Sequence, residues 1–161
     1  MARRWLTADE QRAWRAYRDV SLLLEDVLDQ QLRHSAGMSH LNYSVLVFLS
    51  EAPERRLRMT DLAEQLKIVR SRLTYIVSRM EDDGWVVRED CPGDKRGQLA
   101  VLTDQGAEVL AKAAPGHVAA VRTAIFDQLD PEQVQVFGEA CASILAGLTD
   151  PDRNTDLPWR R

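Results

Sequence analysis

Residues 7 to 36 contain neither proline nor glycine, and apolar side chains recur through them at Ala13, Trp14, Tyr17, Val20, Leu24, Val27, Leu28 and Leu32, the spacing of one helix face. Thr7 and Glu10 form a capping box at the start: the threonine hydroxyl accepts from the Glu10 N–H, and the glutamate reaches back to the Thr7 N–H. Gly37 is the first residue able to end the helix. Roughly 27 residues at 1.5 Å each make a rod of about 40 Å. That outruns a small domain, so a chain of 161 residues must either bend around it or lay part of it on a second copy of itself.

The remaining segments are shorter. Leu41 to Leu49 reads as a second helix, closed by the turn residues around Pro53. Thr60 is placed to cap a third, with Asp61 at its positive end, and Arg70 to Asp83 reads as a fourth, ended by Gly84. Residues 85 to 90 and 98 to 102 are rich in Val, Leu and Trp and flank the Pro/Gly tip CPGDKRGQ, which is a hairpin pattern. A fifth helix starts at Thr103 and is expected to kink or break at Pro115-Gly116. Asp130-Pro131 with Gln133 opens the last, about residues 131 to 148, with Val134, Phe137, Cys141, Ile144, Leu145 and Leu148 on one stripe. The fold class is therefore mainly α with a small β-hairpin wing. Short helix, turn, helix and hairpin in that order is a winged helix-turn-helix, here between an N-terminal and a C-terminal helical arm. The expected division is residues 1–50 and 103–150 for the arm, 51–102 for the winged lobe and 151–161 for a polar tail.

Composition excludes several classes. No apolar run approaches the roughly 18 residues that cross a bilayer, and the first residues lack a secretory apolar stretch, so a cytoplasmic protein without a membrane partner is expected. Cys91 and Cys141 form no CxxC pattern, and His34, His40 and His117 are scattered, so neither a disulfide framework nor a metal site is indicated. No nucleophile-base-acid run, phosphate-cradling glycine loop or paired catalytic carboxylates stand out, so no enzyme and no cofactor are expected. The net charge of −4 conceals an asymmetry. Residues 55–79 carry seven basic side chains (Arg55, Arg56, Arg58, Lys67, Arg70, Arg72 and Arg79) against Asp61 and Glu64 alone.

The fourth helix gives that charge a direction. On a helical wheel Val69, Leu73, Ile76, Val77 and Met80 share one apolar stripe, and the opposite face carries Ser71, Arg72, Thr74, Tyr75, Ser78 and Arg79. Hydroxyls, guanidinium groups and one aromatic can donate to phosphates, contact base edges and touch a thymine methyl. An ordinary solvated face would mix in Glu and Lys. Asp94, Lys95 and Arg96 at the hairpin tip would lie beside this helix, within reach of a neighbouring minor groove.

The run RMTDLAEQLKIVRSRLTYIVSRMEDDGWVVREDCPGDKRGQLAVLTDQG, residues 58–106, resembles the DNA-binding half of the MarR family of bacterial transcriptional regulators, and residues 14–63 and 114–133 extend the resemblance into the arms. The resemblance implies a homodimer interlocked through the first and last two helices, which supplies the cover the long first helix needs. It implies a regulator, in many relatives a repressor, that binds a near-palindromic double-stranded DNA site. Recognition residues fall on Arg70 to Arg79, among them Arg70, Ser71, Arg72, Thr74, Tyr75, Ser78 and Arg79. The wing falls on Asp94, Lys95 and Arg96, with Arg96 in the minor groove and Asp94 bracing an arginine. One departure is Val69, where relatives often place Ser or Thr; it cannot cap, so Ser71, Thr74 or a phosphate is expected to serve the first N–H groups.

Many relatives release DNA when a small aromatic or anionic effector binds between arm and lobe. The corresponding lining here is Trp14, Tyr17, His40, Tyr43, Phe48 and His117, although aromatic residues at helical spacing are more often core or interface packing. Two alternatives remain: a redox-responsive regulator using Cys91, expected to be exposed at the wing base, and a winged-helix module that binds a protein. Cys141 reads as a buried small hydrophobe.

Overall fold

The structure, a computed structural model, describes residues 5–148 except for the side chains of Lys95 and Arg96; the tail expected at 151–161 lies outside the described residues. Helices α1 (Ala8–Ala36), α2 (His40–Glu51), α3 (Met59–Gln65), α4 (Arg70–Asp82), α5 (Asp104–Ala124) and α6 (Pro131–Leu148) enclose a small sheet of β1 (Arg56–Arg58), β2 (Val86–Cys91) and β3 (Asp94–Leu102). Short 3-10 turns occupy Pro53–Arg55 and Phe126–Gln128. No described helix is long and apolar enough to cross a membrane.

The caps of α1 form as the sequence dictates. Thr7 and Glu10 close the capping box, and Gly37, at φ +67°, donates back to the carbonyls of Leu32 and Arg33. The single chain buries only Leu28 and Leu32 of this helix, and buries no residue of α6. The core lies instead where α2, α3, α4 and the sheet meet the C-terminal part of α1 and the start of α5. Leu32, Leu46, Leu49, Leu73 and Met80 are fully enclosed there.

The sheet is antiparallel in the order β1-β3-β2, so β3 is central. β1 is absent from the sequence reading because three residues, Arg-Leu-Arg, carry too little alternation to register as a strand. It pairs with β3 through Arg56↔Val101 and Arg58↔Leu99. The hairpin turn is tighter than expected. Pro92 and Gly93 alone make it, with Gly93 at φ +79°, the Pro-Gly arrangement of a type II turn. The register then jumps from Cys91↔Asp94 to Asp90↔Gln98, so residues 95–97 form a bulge on β3 instead of a loop.

Four further expectations fail locally. α5 runs through Pro115 unbroken. The proline gives up one backbone bond, but α5 is held along α1 and α2, and at Gly116 an added Cβ would lie 3.1 Å from Gln31 Nε2, so packing against α1 outweighs the lost bond. Thr60 lies inside α3 instead of capping it; Arg58 holds the cap position without a side-chain bond, and Thr60 Oγ1 donates to Asp61. Val69 leaves the apolar stripe and stands 68% exposed as the N-cap of α4. The two cysteines exchange environments: Cys91 is buried at 5% exposure under the hairpin backbone, and Cys141 is exposed in the single chain because nothing in that chain covers its face of α6.

Candidate nucleic-acid interface

α4 is split cleanly by its own periodicity. Leu73, Ile76, Val77 and Met80 are buried in the lobe. Ser71, Thr74, Tyr75 and Ser78 fall at i, i+3, i+4 and i+7, a straight stripe on the opposite side, with Arg72 and Arg79 seven residues apart along one flank and Arg70 on the other. All of these are exposed except the half-buried Ser78, and Tyr75 shows 67% of its surface. Gly84, at φ +76°, ends the helix: its N–H donates to the Glu81 carbonyl and that of Trp85 to the Met80 carbonyl, a Schellman closure. The aromatic and guanidinium groups are thus displayed on a rigid element.

Electrostatics sharpen the asymmetry seen in the sequence. Of its seven basic residues, Arg55 pairs with Asp104, Arg56 with Glu54 and Glu89, and Arg58 with Asp94. Among the described residues no carboxylate pairs with Arg70, Arg72 or Arg79. The acidic end of α4 is turned away from the stripe, since Glu81 accepts from both the backbone N–H of Arg88 at 2.8 Å and its Nε at 2.6 Å. Of the arginines in this stretch, the unpaired ones are therefore confined to the exposed helix, and Lys67, the seventh basic residue, is exposed in the turn before it. A count of charges along the chain could not separate the paired arginines from these.

The start of α4 has no side-chain cap and no acid in its first turn. Thr74, one of the residues expected to serve it, instead donates its hydroxyl to the Arg70 carbonyl at 3.0 Å. Beside it stands the wing. Asp94 Oδ2 accepts from Arg58 Nη1 at 3.1 Å, so the arginine braced by Asp94 comes from β1, a residue sequence reasoning did not single out. Arg58, Thr60, Arg70, Thr74, Asp94 and Gln98 line a cleft of about 270 Å3 between wing and helix. The side chains of Lys95 and Arg96 lie outside the described residues; their backbone is in the β3 bulge.

Within the single chain, the six residues expected to line an effector pocket fall into separate groups. Trp14 and Tyr17 stack on each other at 6.1 Å on the exposed N-terminal half of α1. Eleven residues of helix, about 16 Å, separate Trp14 from the Glu25 that meets His40. Phe48 is in the core. His40, Tyr43 and His117 do gather, with ring centroids 5.3 Å apart for the two histidines and 4.4 Å for Tyr43 and His117. His40 Nδ1 lies 3.0 Å from Glu25 Oε1, and its backbone N–H donates to Asp29. The Arg33 guanidinium, and then that N–H, hold the Asp29 carboxyl below its usual range. Burial pushes the Tyr43 hydroxyl up; burial and then His40 push His117 down, and His117 Nδ1 is enclosed with no protein hydrogen-bond partner. No described group of three acidic, Cys or His side chains could hold a metal ion.

A family model described as MarR family matches residues 36–97. The chain is similar to Sco3205 of Streptomyces coelicolor, a MarR family transcriptional regulator solved in complex with DNA, at 57% identity, with 99% of this chain and 100% of that one covered and a TM-score of 0.85. AbsC, a MarR family regulator of the same organism, is 42% identical over 91% of this chain and 98% of that one, with a TM-score of 0.81. The HTH-type transcriptional regulator YkoM of Bacillus subtilis (strain 168), itself uncharacterized, is 31% identical over 125 residues, 76% of this chain and 79% of that protein. The chain belongs to the MarR family of transcriptional regulators.

Proposed function

We propose that the chain binds double-stranded DNA as a homodimer in the cytoplasm, with each α4 in a major groove and each wing, through Lys95 and Arg96, in the adjoining minor groove. The observation that carries this reading is the exposed stripe of Ser71, Thr74, Tyr75 and Ser78 flanked by unpaired arginines, set opposite a fully buried face. Arginines supply the sequence-independent attraction to phosphate, and the hydroxyls and Tyr75 read base edges. A two-fold dimer sets its two helices about one turn of DNA apart, so the operator is near-palindromic. Over a promoter, occupation of such a site excludes polymerase, which is how the regulator would act as a repressor.

The dimer is supported by what the single chain leaves uncovered. Val20, Leu23, Leu24 and Val27 of α1 face Ala120 of α5 and Ile125 at its C-cap across an open apolar groove of about 720 Å3, and Phe137 and Ile144 of α6 are exposed. Contiguous apolar surface of that kind marks an interaction site. Release by a small aromatic or anionic effector is supported by the cluster at the junction of α1, α2 and α5, where Tyr43 and His117 pack at 4.4 Å and the enclosed His117 Nδ1 has no protein hydrogen-bond partner. The redox alternative loses its premise, since Cys91 is buried. A mobility-shift titration on the DNA upstream of the chain's own gene, with and without aromatic acids, tests the reading. A retarded complex of two chains per site that an acid dissolves supports it, and no complex at about 50 mM salt, where attraction to phosphate is still strong, refutes it.

A further inference from the structure

Arg58 belongs to neither the recognition helix nor the hairpin, and no base-reading or phosphate-binding role falls to it from the family pattern. It is the last residue of β1, paired in register with Leu99 of the central strand. From there its guanidinium reaches Asp94, the first residue of β3, at 3.1 Å. Asp94 stands opposite Cys91 across the turn and immediately before the three-residue bulge. At the far end of the bulge, a Cβ on Gly97 would come within 2.7 Å of Asp94 Oδ2 and 3.0 Å of Cys91 Sγ. The carboxylate therefore tucks beneath the backbone of 97, so the two ends of the bulge are closed on each other by one side chain, which Arg58 holds from a neighbouring strand.

We propose that Arg58 is a positioning residue for DNA binding: through Asp94 it clasps the base of the wing and sets the direction in which the backbone of Lys95 and Arg96 leaves the sheet. A three-residue bulge has no cross-strand partners of its own to fix it. Binding energy from a minor-groove side chain is realised only if the wing is already aimed, since ordering it on contact subtracts from affinity. A half-exposed ion pair adds little to folding stability, so the clasp acts on recognition and leaves the fold intact. This inference rests on the DNA-binding reading above.

The test is a double-mutant cycle of Arg58→Ala and Arg96→Ala, read by fluorescence anisotropy on a duplex carrying the protein's own upstream site. Each single variant weakens binding about ten-fold, and the double variant binds within about two-fold of Arg96→Ala, because without Arg96 only the smaller contribution of Lys95 is left to mis-aim. The thermal midpoint of Arg58→Ala stays with the parent. Gly97→Ala, which displaces the carboxylate while removing no charge, reproduces the Arg58→Ala loss. If the two losses multiply and Arg58→Ala lowers the salt slope by about one unit even without Arg96, Arg58 is a direct phosphate contact and the clasp is overturned. Unchanged affinity of Arg58→Ala overturns it as well. If the parent does not bind, or Arg96→Ala binds like the parent, the reading beneath the proposal falls and the clasp falls with it.

Discussion

Gly106→Ala tests how tightly the arm is joined to the lobe. Gly106 is buried in the first turn of α5, where its N–H donates to Thr103 Oγ1 at 2.9 Å. A methyl group there would sit 2.1 Å from the backbone oxygen of Trp85 and 2.8 Å from Leu102 Cδ1. Ordinary contact begins at 3.4 Å, so α5 and the entry to β2 must part by at least about 1 Å. The displaced oxygen is the acceptor for the Thr103 backbone N–H and hydroxyl, both at 3.1 Å, and the same hydroxyl reaches Gly84 O at 2.7 Å. Overpacking costs about 1–3 kcal/mol and a weakened bond about 1 kcal/mol, while alanine returns about 1 kcal/mol in helix propensity. The net loss is about 1–3 kcal/mol, a fall in Tm of roughly 3–10 °C for a chain of this length. Thermal unfolding followed by circular dichroism, at one protein concentration for parent and variant, measures it. A variant as stable as the parent, or one stabilised as open space would allow, refutes the close contact.

Arg72→Ala and Tyr75→Ala touch exposed, unpaired side chains, so each leaves stability within about 0.5 kcal/mol of the parent yet relaxes discrimination at one base pair by about 1–3 kcal/mol. Competition among single-base variants of the site reads this, and an equal loss on every sequence contradicts a reading role. Leu23→Lys puts a charge into the apolar α1/α5 groove and converts the dimer to monomer in sedimentation equilibrium; an unchanged dimer removes that groove from the interface. Burial and His40 hold His117 below its ordinary 6.5, so between that value and its lower folded value the unfolded chain binds more protons. Stability is therefore full above pH 6.5 and falls as the pH drops below it, and His117→Gln flattens that fall in urea titrations; superimposable profiles contradict the assignment.

The elements with local punctuation were legible in the sequence. Thr7, Glu10 and Gly37 bound α1, Gly84 ends α4, and the wheel of α4 assigns the buried and exposed faces with Val69 as the only misplaced member. What escaped depends on contacts distant in sequence. β1 exists because β3 offers it a register, α5 survives Pro115 because α1 supports it, and Cys91 is buried because Gly97 lets the wing close over it. The single chain holds Trp14 and Tyr17 apart from His40, Tyr43 and His117, because helical spacing gives a face but not a height along the rod. Likewise, only the fold shows that Arg55, Arg56 and Arg58 are paired and the arginines of α4 are not.

The central claim, that α4 reads DNA from the major groove, is tested most directly by methylation interference at guanine N7 on the protein's own upstream DNA. The account predicts two clusters of interfering guanines about one helical turn apart on one face of the duplex, both weakened in Arg72→Ala. A bound complex indifferent to N7 methylation throughout its site would place the contacts outside the major groove and contradict it.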